Sequence, residues 1–260
     1  MKKALSFALS ALMTLTMVGC GAGSSKKSDS DFQYITDKGK MIVGITDYAP
    51  MDYKDDDGNW TGFDAEFAQA VGKKMGVDVE FMEINWDNKF LELNAKSIDC
   101  VWNGMTITEE VTKNTSCSKA YVKNEQVVVM KSDKISSFKD AESMKTLKFC
   151  AESGSAGESA AKDAGFDVTA VSAQSDALME VASGSVDACV IDGTMAAAMT
   201  GEGTSYTDLA SSIVLTTEEY GVGFRKDSDM TEKFNTYMDE LKADGTLTDL
   251  AEKYELSLAD

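Results

Sequence analysis

The sequence contains no histidine. That absence removes Ser-His-Asp triads, Cys-His pairs, HExxH metal sites and histidine proton shuttles. No GxxxxGKS or GxxxxGKT stretch is present, so a P-loop nucleotide hydrolase is excluded as well. None of the five cysteines forms a CxxC pair, which removes zinc-ribbon and thioredoxin-like readings. Beyond Cys20, three of the remaining four (Cys100, Cys150 and Cys189) sit inside apolar runs, where a thiol behaves as a small hydrophobe. All four, Cys117 included, are expected to be free. Basic residues are also scarce: 25 against 44 acids give a formal charge of −19. Removing residues 1–19 takes away two lysines and no acids, leaving −21. Such a chain does not bind nucleic acid by neutralising phosphates. Anionic lipid head groups repel it too, so any hold on a membrane has to come from a lipid.

What is present describes an exported globular protein. The 260 residues are 43% apolar and 27% charged, enough for one large domain or two small ones with real cores. Lys2 and Lys3 precede an apolar run, Ala4–Val18, and small residues precede Cys20, the pattern of a secretory signal peptide over 1–19. The run is too short for a membrane span. "MVGC" resembles a bacterial lipobox, which makes Cys20 the expected lipid-carrying first residue of the mature chain. Residues 20–31 then read as that cysteine and a flexible tether.

From residue 41 short apolar runs alternate with amphipathic stretches. "MIVGIT", "VEFMEI" and "IDCVWN" predict strands, separated by helices over "DAEFAQAVGKKMG" and "DNKFLELNA". Asp64 is expected to cap the first helix, with Phe67, Val71 and Met75 as its buried stripe. After "QVVVMK" the pattern restarts: strands "LKFCA", "DVTAV" and "VDACVI" with helices "SAGESAAKDAG" and "SDALMEVASG" between them. Two more helices, "SDMTEKFNTYMDELKADG" and "TLTDLAEKYE", close the chain. This predicts an α/β protein with two mostly parallel sheets flanked by helices. Ligands of such sheets bind at the loops beyond the carboxyl ends of the strands, here "TDYAP", "NWDNK", "NGMTIT", "ESGSAGE" and "IDGT".

Individual stretches leave alternatives open. "ESGSAGES" places free N–H groups at a helix start, suited to an anion or to an ordinary cap by Ser155. Asp192 ends an apolar strand and either receives an ammonium group or caps the next helix. Tyr48 and Trp86, in two of the loops, either wall a ligand or pack. "YKDDDGNWTGFD" lacks the closing glutamate of a calcium loop and reads as a hairpin around Asp57-Gly58.

Together, "DYAPMDYKDDDGNWTGFDAEFAQAVGKKMGVDVEFMEINWDNKFLELNAKSIDCVWNGMTIT", "GSAGES", "VDACVID" and "YGVGFRKDSDMTEKFNTYMDELKADGTLTDLAEKY" resemble the polar amino-acid-binding solute-binding proteins of ABC importers. The resemblance covers about residues 32–260. It implies a two-lobe type II periplasmic-binding-protein fold: lobe 1 over 32–120 and 221–260, lobe 2 over 126–215, hinges at 121–125 and 216–220. It further implies Tyr48 and Trp86 as aromatic walls, Gly104 and Thr106 as first-lobe contacts, Ser155 and Ala156 for the α-carboxylate, and Asp192 for the α-ammonium. Glu152 adds an acid to the same loop. One departure stands out. The family's arginine three residues after the last "TIT" threonine is Val111 here, and the sole arginine, Arg225, lies elsewhere in the sequence. Either Lys113 or another lysine takes its role, or the ligand is a cationic amine without a carboxylate. The resemblance thus implies a non-enzymatic, cofactor-free, monomeric binding subunit on the outer face of the cell membrane, serving an ABC permease and ATPase. A dehydratase-like enzyme on the same fold, using Glu152 as acid, is the rival reading.

Overall fold

The computed structural model describes residues 30–260. The expected signal peptide, Cys20 and most of the tether lie outside the described residues. The tether's last two residues do not behave as one. Ser30 caps α1 (Asp31–Lys38) by accepting the Gln33 N–H at 3.0 Å. Asp31 is buried against Arg225, whose Nε reaches its two carboxylate oxygens at 2.9 and 3.0 Å.

The first sheet begins with β1 (Lys40–Ile45), whose apolar side chains are buried apart from the half-buried Ile42, as in a strand covered on both faces. A hairpin of β2 (Tyr53–Lys54) and β3 (Trp60–Thr61) follows, turning at Asp57-Gly58. Then come α2 (Phe63–Met75), β4 (Asp78–Glu83), α3 (Lys89–Asn94), β5 (Cys100–Val101), α4 (Glu109–Asn114) and β6 (Ser116–Cys117). The second sheet takes β7 (Val122–Lys131), α5 (Ala141–Met144), β8 (Lys148–Glu152), α6 (Ala156–Asp163), β9 (Asp167–Val171), α7 (Gln174–Ser183), β10 (Ala188–Asp192), α8 (Gly193–Met199) and β11 (Leu209–Tyr220). The chain then returns to the first sheet as β12 (Gly223–Phe224) and ends with α9 (Met230–Ala243) and α10 (Thr246–Lys253), which pack on α2.

Strand order is β4-β1-β5-β12-β6 in one sheet and β11-β7-β10-β8-β9 in the other. β4, β1 and β5 run parallel, as do β10, β8 and β9; the returning strands β12, β7 and β11 are antiparallel to their neighbours. This is the two-lobe α/β architecture expected above. Edge-on aromatic contacts tie α2, the residue after β5 and α9 together: Phe67 stands 4.8 Å from Trp102, and Trp102 5.0 Å from Phe234, between ring centres. Cys150 and Cys189 are register partners on β8 and β10, and all four described cysteines are free thiols. No helix among the described residues is long and apolar enough to cross a membrane.

Candidate functional site

The carboxyl ends of the parallel strands from both sheets meet around a cavity of about 210 Å³. Seven of the eight residues singled out by sequence line it: Trp86, Gly104 and Thr106 from the first lobe, and Glu152, Ser155, Ala156 and Asp192 from the second. A larger open groove of about 580 Å³ runs along α8, β11 and residues 253–257. Its charged lining residues, Glu125, Lys253 and Glu255, are exposed, so no desolvated charge is available there to grip a ligand. The smaller cavity is the candidate site.

On the first-lobe side Gly104 is in the left-handed region, φ 56°, and its N–H donates to Asp64 Oδ2 at 2.6 Å. Asp64 also accepts the Tyr121 hydroxyl at 2.8 Å. It is therefore not the helix cap that the sequence suggested. The cap position is Gly62, two residues earlier, because Phe63 is buried and stacks on Tyr121, and this turns Asp64 into the floor beneath the cavity. Burial raises the Asp64 carboxyl to about 7 despite those hydrogen bonds. Asp52, beside it, is raised well above its usual range by burial and then by the Asp64 charge. Asn103 uses both amide hydrogens, on Thr46 O at 3.0 Å and Asp52 Oδ2 at 2.7 Å, so it braces the floor.

Thr106 Oγ1 donates to Glu218 Oε1 at 2.7 Å. Thr108 caps α4 by accepting the Val111 N–H at 3.1 Å. Val111 lines the cavity yet is buried among Trp86, Leu93, Ile98 and Met105, so this wall is apolar where the resemblance implied a cation. Lys113 does not fill the role: it lies two residues along the helix, on another face, and is exposed. The cation at this site is Lys89, which sequence reasoning missed. Its Nζ donates to Gly154 O at 2.9 Å and to Trp86 O at 3.3 Å, and lies 5.0 Å from the centre of the Trp86 ring. Burial lowers its pKa, opposed by the charges of Glu110, Glu152 and Asp87. The available signal was Leu93, four residues on: Lys89 shares the core-facing stripe of α3.

On the second-lobe side Ser155 caps α6, its Oγ accepting the Glu158 N–H at 3.0 Å, while Ser155 and Ala156 form the cavity wall. Asp192 makes no capping bond to α8. Its Oδ1 accepts Asn124 Nδ2 at 2.5 Å, Gln126 Nε2 at 2.7 Å and the Tyr220 hydroxyl at 2.8 Å, and its Oδ2 accepts Gln174 Nε2. Burial, reinforced by the Glu218 charge, raises it to about 7. The same two amides, Asn124 and Gln126, also donate to Glu218 at 2.7 and 2.8 Å. Each thus lies between two acids. Their spacing of two residues put both on one face of a strand, a usable signal; the acids they would meet were not legible.

Glu152, at the end of β8, is 2% exposed, and its Oε1 has no hydrogen-bond partner among the described residues. Burial pushes it up to about 8, with Asp192 adding to the rise and Lys89 opposing it. Tyr48 departs from expectation. It is 1% exposed and does not line the cavity. Its hydroxyl meets both Tyr220 and Thr194 at 2.5 Å, so it joins the first-lobe loop to α8 of the second lobe. Together with the Lys89–Gly154 bond, this contact closes the lobes over the cavity.

A family model described as bacterial extracellular solute-binding proteins, family 3, matches residues 41–257. The chain is 33% identical to the arginine-binding extracellular protein ArtP of Bacillus subtilis (strain 168), over 98% of both chains. It is 30% identical to the L-cystine-binding protein TcyJ of Escherichia coli (strain K12), over 94% of both. Among solved structures, a mutant of ArgBP from T. maritima superposes with a TM-score of 0.80 at 32% identity, covering 86% of this chain and 98% of that one.

Proposed function

The chain belongs to the bacterial extracellular solute-binding proteins of family 3, and on that premise we propose that it is the substrate-binding subunit of an ABC importer. It captures a small polar amino acid between its lobes and passes it to a permease driven by an ATPase. One observation carries this reading: seven residues expected at the ligand site converge on one cavity lined by both lobes. In this arrangement the α-ammonium lies toward Asp192 and Glu152, and the α-carboxylate toward the start of α6 and the remaining N–H of Lys89. The hinges are residues 121–125 and 216–220, where β7 and β11 run side by side between the sheets. Binding shifts the chain from open to closed, and the closed form docks on the permease. Cys20 carries the lipid that keeps it at the outer face of the membrane. Named relatives are binding proteins, and the chain is read as one without catalysis. A cationic amine without a carboxylate is the second reading, favoured by the apolar wall at Val111.

A thermal-shift screen of the twenty amino acids and their decarboxylated amines tests the proposal, since a ligand of the folded state alone raises the melting temperature. At least one compound is expected to stabilise the protein and to be recovered unchanged by mass spectrometry. No stabilisation by any of them would refute the binding reading, and conversion to product would establish the enzyme instead. Replacing Cys20 by alanine is expected to release the protein from the membrane fraction into the medium.

A further inference from the structure

The cavity has one acceptor more than an α-ammonium needs. Asp192 already takes four donors, three on Oδ1 and one on Oδ2. Glu152 lines the same cavity, and its buried Oε1 is unpaired among the described residues. The nearby cation acts on it only at a distance: the two N–H bonds of Lys89 go to the carbonyls of Trp86 and Gly154. Val111 and Trp86 also line the cavity, and neither supplies a positive charge for a ligand acid. The buried charged lining is two acids, Glu152 and Asp192, against Lys89 alone, with the exposed Glu109 and Glu110 at the rim. Desolvated acids in excess of the cation favour a positive partner.

We propose that Glu152 is a second cation subsite, and that the ligand carries two positively charged nitrogens, one at Asp192 and one at Glu152. This rests on the solute-binding reading and specifies its substrate class. Basic amino acids and diamines share that chemistry; they differ in whether a carboxylate is needed. The titration behaviour agrees with the geometry. Glu152 is faced by Asp192 on β10, by Asp176 on α7 and by Lys89 on α3, while Glu109 and Glu110 on α4 line the same cavity beside Val111 and are exposed, and its carboxyl is pushed up to about 8. Seating a cation there expels the carboxyl's proton. Binding at Glu152 therefore weakens about tenfold for each pH unit below 8, through the proton that must leave.

Calorimetry with L-lysine, cadaverine and L-norleucine tests this on the intact mature protein. Norleucine matches lysine in length but lacks the distal ammonium. Lysine or cadaverine is expected to bind at least tenfold tighter than norleucine at pH 7. Titrations in two buffers of different ionisation enthalpy should show proton release, and Glu152→Gln should abolish both the preference and one released proton. If neither lysine nor cadaverine binds more tightly than norleucine, or if the preference survives in Glu152→Gln, the subsite is overturned while the binding reading stands. So would a screen in which only neutral or acidic amino acids bind. If no compound of the wider screen binds, the binding reading itself falls, and the subsite with it. The lysine-to-norleucine ratio needs no variant, so the test survives a poorly folding Glu152→Gln.

Discussion

Replacing Gly104 by alanine tests how tightly the cavity floor is locked to the lobe closure. The backbone there has φ 56°, which costs an L-residue about 1–2 kcal/mol. The added Cβ would lie 2.5 Å from Tyr48 Cε1 and 3.2–3.3 Å from two atoms of the Tyr220 ring. Neither ring has room to yield, because their hydroxyls are joined at 2.5 Å and the Tyr48 hydroxyl is also held by Thr194. Overpacking of this kind costs about 1–3 kcal/mol. The sum, about 2–5 kcal/mol, corresponds to a fall in melting temperature of roughly 4–20 °C for a chain of this size. A double-mutant cycle separates the two parts. With Tyr48→Leu in the background, the steric part should vanish and only the backbone cost remain, a coupling of about 1–3 kcal/mol by urea unfolding. Strict additivity of the two substitutions would refute the argument that Tyr48 is pinned against Gly104.

Arg225→Met removes the hydrogen-bonded partner of buried Asp31, leaving only Lys96 at 4.0 Å among the described residues, and takes a donor from Asp99 and from Ile98 O, so it should cost about 3 kcal/mol in chemical denaturation. The ligand-free protein should melt higher at pH 5.5 than at pH 8. Glu152 is raised to about 8 and Asp64 and Asp192 to about 7, so the folded state holds protons that the unfolded chain releases above its ordinary carboxyl range of about 4. Stability is therefore complete below that range and is lost as pH rises through 7 and 8; Glu152→Gln should flatten the upper part of the curve, and a melting temperature that rises toward pH 8 would contradict the assignment. Thiol titration of a Cys20→Ala chain, denatured without reductant, should find four reactive groups, while the native protein reacts slowly because burial raises every thiol, Cys117 to about 11 and Cys150 to about 12.

The strands were legible because parallel strands covered on both faces are continuous apolar runs, as in "MIVGI" and "ACVID". Helix ends were legible where glycine closes them, as Gly76 and Gly184 do. The start of α2 was not. Whether Asp64 caps that helix or enters it depends on Phe63 finding Tyr121, a contact 58 residues away in sequence that no local pattern encodes. Tyr48 failed for the same kind of reason. An aromatic at a strand end walls a ligand or packs according to what its hydroxyl meets, and here it meets Tyr220 and Thr194 on distant elements.

The polar network behind the cavity explains why the cleft residues could be named while their roles could not. Strand ends and a helix start fix where Gly104, Glu152, Ser155 and Asp192 stand, because their positions follow from the α/β pattern alone. Which of the two acids stays free depends on Asn124, Gln126, Gln174 and Tyr220, all of which turn toward Asp192 and none toward Glu152. That choice is made by the register of β10 on β7, in which Asp192 stands opposite Gln126. A one-residue slip would move Gln126 to the other face of the strand and leave Asp192 short of a donor. The valine at position 111 acts in the same direction. It clusters with Trp86, Ile98 and Met105, so this wall supplies no cation, and the direct partner that Glu152 Oε1 lacks among the described residues has to arrive with the ligand.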